Sequence, residues 1–175
     1  MAKSEKQKLK LLYIIQCLME KTDEEHAVTT QEIIDYLALQ GITAERKSIY
    51  TDIDLLIDFG MDIIKKPGRS GGYTLASRQF ELAELKLLVD AVQSSKFITT
   101  KKSRELIGKL ETLCSKYEAT QLHRQVVVTN RNKAINENIY YNVDIIYNAI
   151  AENVKIQFQY FEWDVNKDCL LYTSP

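Results

Sequence analysis

Two short stretches of this chain carry side chains suited to contacting a polyanion. The first is Arg46-Lys47-Ser48-Ile49-Tyr50-Thr51, and the second is Lys65-Lys66-Pro67-Gly68-Arg69-Ser70-Gly71-Gly72. Lys47 can neutralise a phosphate or approach a guanine edge, and Arg46 can make a bidentate contact. Tyr50 and Thr51 offer hydroxyls to phosphates and apolar surface to thymine methyls, and Ser48 completes the set in that stretch. Lys65, Lys66 and Arg69 stand beside Gly68, Gly71 and Gly72, residues without a Cβ that allow close backbone approach to DNA.

The elements that must position these residues follow from apolar spacing and turn signals. Residues 5–21 read as a first helix, with Leu11, Ile14, Ile15, Leu18 and Met19 on one stripe. Residues 22–26 read as an acidic, polar loop, in which Asp23, Glu24 and Glu25 can point away from DNA. Thr29 followed by Glu32 predicts a capping box, with Val28 and Ile33 as the hydrophobic staple of a second helix. Ile33, Ile34 and Leu37 face inward there, and Gly41 ends the element. A third helix is predicted from an N-cap near Thr43 to about Phe59. At ~100° per residue, Ile49, Ile53, Leu56 and Ile57 share one side, opposite Lys47, Tyr50, Thr51 and Asp54. Residues 63–75 then read as a hairpin with a long Pro/Gly loop. Three helices followed by a hairpin is the winged helix-turn-helix order. Its third helix fits a major groove and its hairpin tip reaches backbone or minor groove.

Five of the six glycines lie between Gly41 and Gly72. The turn-rich part therefore ends near residue 76, and the predicted domains are 1–76, 77–125, 126–168 and an atypical tail at 169–175. Residues 80–92 and 100–117 are predicted helices, 126–128 a short strand, 139–152 a helix and 154–160 a strand. Leu82, Leu85, Val89 and Val92 line one face, which serves either a dimer seam or packing within one chain. Tyr140, Tyr141 and Tyr147 are read as core or interface aromatics rather than base-stacking groups.

Beyond these single elements, longer runs of residues match a known family. Arg46-Lys47-Ser48-Ile49-Tyr50-Thr51-Asp52-Ile53-Asp54-Leu55-Leu56, then Gly60, then Gly68-Arg69-Ser70-Gly71-Gly72-Tyr73-Thr74-Leu75, resembles bacterial WYL-domain transcriptional regulators. These carry a winged helix of the deoxyribose-operon-repressor-like type. Residues 90–99 look like their helical connector, and 130–133 with 136–142 look like the entry to the WYL domain. The resemblance runs from about Lys8 to Trp163. It implies a fold that is α+β and mainly α: winged helix-turn-helix, helical connector and the beginning of a barrel-like WYL domain. It implies double-stranded DNA as partner, a homodimer, and an effector of unknown identity sensed by the WYL domain. Two departures stand out. Thr51 replaces an arginine common in the family. The Trp-Tyr-Leu signature is absent, since Trp163 is followed by Asp164 and Val165, so the chain is expected to be truncated within its sensor domain.

Composition bounds the rest. The net charge of −1, from 23 Lys+Arg and 24 Asp+Glu, excludes a globally basic nucleic-acid binder but not a local basic face. Residues 1–75 hold ten basic and twelve acidic residues, net −2. That balance supports a competing reading, a protein-interaction winged helix that never touches DNA, while the ordered set of helix-three and wing residues places DNA binding ahead of it. Asp54 on the reading face repels phosphate unless it accepts from a cytosine amino group. Asp52 and Asp54 point about 200° apart, so they share neither a proton nor a metal, and both are read as solvated helix charges. His26 and His123 are read as surface histidines, and Ser94, Ser95, Thr99 and Thr100 as helix-terminus residues rather than nucleophiles. No catalytic, cofactor or metal motif is present, so no enzyme activity and no cofactor are expected. Three scattered cysteines, no apolar run long enough for a membrane and no secretory leader point to the cytoplasm.

Overall fold

The computed structural model describes residues 5–68, 71–125, 133, 138–157, 160–163 and 169–172. Arg69, the strand expected at 126–128 and most of the runs at 130–133 and 136–137 lie outside the described residues. The fold is α+β and mainly α.

A 3-10 turn (Glu5–Leu9) leads into α1 (Lys10–Lys21), followed by α2 (Thr30–Leu39) and α3 (Arg46–Asp58). The wing is β1 (Ile63–Lys66) paired antiparallel with β2 (Gly72–Leu75), Ile63 opposite Leu75 and Lys66 opposite Gly72. The spacing of apolar residues becomes a single core: Ile14, Leu18, Ile33, Leu37, Ile49 and Ile53 are fully buried together. Met19, expected on the inner stripe, lies at its edge and is 40% exposed. The α2 capping box forms as expected, with Thr29 Oγ1 accepting from Glu32 N and Glu32 Oε2 accepting from Thr29 N. Both staple residues, Val28 and Ile33, are buried.

Helix α3 starts two residues later than expected, with Glu45 rather than Thr43 at its cap. Ile42 is driven into the core and its N–H bonds Leu37 O, while the Thr43 carbonyl accepts from Gln7. Those anchors keep residues 42–45 out of the helix.

Helices α4 (Leu82–Ser94), α5 (Thr100–Glu111) and α6 (Lys116–Gln125) build a second core from Leu85, Val89, Ile107, Cys114 and Leu122. The apolar face of α4 therefore packs within the chain. Thr99 caps α5, its Oγ1 accepting from Lys102 N. The single helix expected over 100–117 is broken. Thr112 turns its hydroxyl onto Lys109 O, Cys114 tucks inward, and Ser115 opens a new helix. Ser115 Oγ accepts from Glu118 N, and Glu118 Oε2 accepts from Ser115 N.

Helix α7 (Ile139–Glu152) closes on Asn153, whose φ of 54° ends the helix. Val154 N then bonds back to Ala149 O, so 154–157 follow the helix end instead of forming the expected strand. The strand lies further on, as β3 (Tyr160–Trp163), and pairs antiparallel with β4 (Cys169–Tyr172). Residues 169–172, expected to be an atypical tail, thus supply its partner. Tyr141 and Tyr147 are 62% and 68% exposed, which overturns the expectation of core packing for them.

Candidate nucleic-acid interface

Helix α3 presents an outer face because its inner face, Ile49, Ile53 and Leu56, is consumed by the core. Lys47, Tyr50, Thr51 and Asp54 lie on that outer face and are exposed, as expected. Arg46 is exposed in the first turn, with one guanidinium nitrogen 3.4 Å from Gln31 Oε1 of α2. The Thr51 hydroxyl donates to Lys47 O at 3.2 Å. Leu55, half exposed, extends the same edge one turn beyond Thr51. It was not among the expected contacts, although its i+4 spacing from Thr51 is the signal for it.

Ser48 turns the other way. It is half-buried, and its Oγ accepts from Lys10 Nζ at 2.5 Å. The same ammonium sits 2.5 Å from Asp52 Oδ2, with both side chains largely buried. Asp52 is therefore not a solvated charge. It anchors α3 to α1 through a partner 42 residues away in sequence. Asp54, by contrast, is exposed and paired across to the wing, with Lys65 Nζ 2.5 Å from its Oδ1. That hydrogen bond holds the Lys65 ammonium above its ordinary pKa. Lys66 Nζ donates to the Glu24 carbonyl at 3.0 Å. Arg69, the remaining wing cation of the set, lies outside the described residues.

The charge along α3 is graded. Past Glu45 its first turn is basic, at Arg46 and Lys47, where the helix dipole is also positive. Asp54 and Asp58 lie toward the far end. The N-terminal half is thus the end suited to a phosphate-lined groove.

Two of the wing glycines are required by the protein's own backbone. A Cβ on Gly72 would overlap the Val28 carbonyl, and one on Gly71 would overlap the Lys66 carbonyl. Gly72 lets β2 approach closely enough for the paired Val28–Tyr73 backbone bonds, at 3.0 and 2.8 Å.

The loop 22–26 is more than a polar linker. Thr22 and Asp23 are buried within it. Thr22 Oγ1 donates to Leu18 O at 2.6 Å and accepts from Leu75 N at 3.1 Å, tying α1 to β2. Asp23 Oδ1 accepts from Glu25 N, His26 N and His26 Nδ1, and its Oδ2 accepts from Ser115 Oγ at 2.6 Å. Burial works to raise the Asp23 pKa, but the bonds from Ser115 and His26 outweigh it and hold the carboxyl below its ordinary value. His26 stacks on Tyr117, ring centroids 3.7 Å apart, so it is a joint rather than a free surface histidine. His123 is exposed and lies 3.1 Å from Glu111.

Burial pushes the Cys17 and Cys114 thiols up to about 11, which leaves them poor nucleophiles at neutral pH. Among the described residues no three His, Cys, Asp or Glu side chains stand close enough to hold a metal ion. No helix among them is long and apolar enough to cross a membrane.

Residues 12–68, about a third of the chain, match the family model for the FokI D3 domain, a DNA-binding-related, winged-helix-like domain. The match spans α1, α2, α3 and β1, and it supports a DNA-binding module there. No curated protein and no solved structure matches the chain.

Proposed function

We propose that this chain is a sequence-specific, double-stranded-DNA-binding transcription regulator, non-enzymatic and cytoplasmic. In this reading the N-terminal half of α3 enters the major groove. Arg46, Lys47, Tyr50 and Thr51 contact bases and nearby phosphates, and Leu55 packs on thymine methyls. Ser48 positions α3 through Lys10 rather than touching DNA. Lys65, Lys66 and Arg69 of the wing bind backbone.

The observation that carries the reading is the outer face of α3. It is basic at its N-terminal end, free of core contacts and flanked by a wing, and α3 and the first wing strand lie within the stretch similar to the FokI D3 domain. The regulator role, the homodimer and an effector sensed by the C-terminal residues rest on the resemblance of 46–75, 90–99 and 130–142 to WYL-domain regulators. The FokI D3 domain comes from a restriction enzyme. That origin favours a second reading, in which the module delivers a DNA-cleaving activity to its site.

Fluorescence anisotropy with random duplex DNA, titrated over salt, tests the binding. A linear fall on a log–log plot is expected, with a slope near −0.9 per neutralised phosphate. Arg46→Ala is expected to cost ~1–3 kcal/mol on a selected site and to relax one base position. A folded sample that binds no duplex at low salt would leave the protein-interaction module as the better reading.

A further inference from the structure

The loop 22–26 is gripped from two sides. On the wing side, Lys66 Nζ donates to Glu24 O at 3.0 Å, and Leu75 N bonds Thr22 Oγ1. On the other side stand groups from the second core. Ser115 Oγ donates to Asp23 Oδ2 at 2.6 Å across 92 residues, and Tyr117 stacks on His26 at an interplanar angle of 8°. Arg78, in the link after β2, donates to the carbonyls of Met19 and Thr22. A cavity of about 580 Å³, lined in part by Glu25, Phe80 and Gln121, lies beside the loop. Beside that cavity, polar and stacking contacts join the two cores.

We infer that this loop is a relay through which the α4–α6 unit fixes the wing lysine Lys66. Asp23 is the central positioning residue. One of its oxygens folds the loop onto Glu25 and His26, while the other accepts a hydrogen bond from Ser115 Oγ. With the loop so fixed, the Glu24 carbonyl holds one N–H of the Lys66 ammonium and leaves two donors directed by that anchor. A displaced α6 releases Asp23, then Glu24, then Lys66. The consequence for DNA rests on the function proposed above. Preordering Lys66 lowers the ordering cost of a phosphate contact.

Two measurements test the relay on the full chain. Backbone hydrogen exchange needs no DNA. Asp23→Asn and Ser115→Ala are expected to speed exchange in the loop and also in the wing, at residues 63–66 and 72–75. Asp23→Asn leaves the Ser115–Glu118 cap intact, so an effect shared by both variants belongs to the joint and not to fraying of α6. Faster exchange confined to the loop or to α6, with the wing unchanged, overturns the relay whether or not the chain binds DNA. In duplex binding, Asp23→Asn and Lys66→Ala are each expected to weaken affinity roughly tenfold, the worth of one charge-assisted bond. The double variant is expected to be no weaker than Lys66→Ala alone. Full additivity would place Asp23 and Lys66 on separate routes and overturn the relay. Absence of duplex binding by the unmodified chain would overturn the DNA reading alone, and exchange would still decide the relay.

Discussion

At the scale of single residues, the outer face of α3 carries two acids toward its far end, Asp54 and Asp58, and Asp54 stands nearer the basic and hydroxyl groups. Asp54 neutralises Lys65 in the free protein, and its carboxylate is an acceptor only. In a major groove it tolerates a cytosine or adenine amino group and opposes the acceptor edges of guanine and thymine. Asp54→Ala is therefore expected to raise affinity for random duplex DNA. Freeing Lys65 is expected to steepen the log–log salt slope by ~0.9. Selection from a randomised library is expected to show one position losing its cytosine preference. An unchanged slope and an unchanged selected site would remove Asp54 from the reading face. The exposed members of this face were legible in sequence because helical periodicity alone separates them from Ile49, Ile53 and Leu56. Ser48 and Asp52 were not, since the group that turns them inward, Lys10, lies 42 and 38 residues away from them respectively for Asp52 and Ser48.

At the scale of elements, local chemistry was readable and distant anchoring was not. The Thr29–Glu32 box and the hairpin came straight from adjacent residues, and both formed. The start of α3 moved because Ile42 was claimed by the core and Thr43 by Gln7. The break between α5 and α6 carries a Ser-x-x-Glu capping box, at Ser115 and Glu118, of the same kind as the Thr-x-x-Glu box of α2, but the apolar periodicity running through Leu110, Leu113 and Cys114 masks it. The glycines of the wing have a consequence that can be measured. Gly72→Ala must push β2 away from Val28 and loosen two backbone bonds. A loss of about 2 kcal/mol or more is expected in denaturant unfolding. Stability equal to the unmodified chain would mean that β2 and Val28 are not held at that distance.

At the scale of the whole molecule, the joint between the two cores is acid-sensitive. The Asp23 pKa is held below 3.8 in the folded chain, so its contribution is complete above that value. As pH falls through the folded pKa, the carboxyl takes a proton and the contribution is lost. The gap in thermal midpoint between the unmodified chain and Asp23→Asn is expected to be widest above pH 5 and to shrink below pH 4. A gap independent of pH would mean that the ionised carboxylate adds nothing to the joint. Ser115 carries the point further. Its one hydroxyl both starts α6, by accepting from Glu118 N, and docks α6, by donating to Asp23. Loss of that hydroxyl therefore removes the cap of α6 and its docking contact together. A probe on either core would report the same cooperative transition, and the chain up to α6 would melt as one unit rather than as a head and a neck.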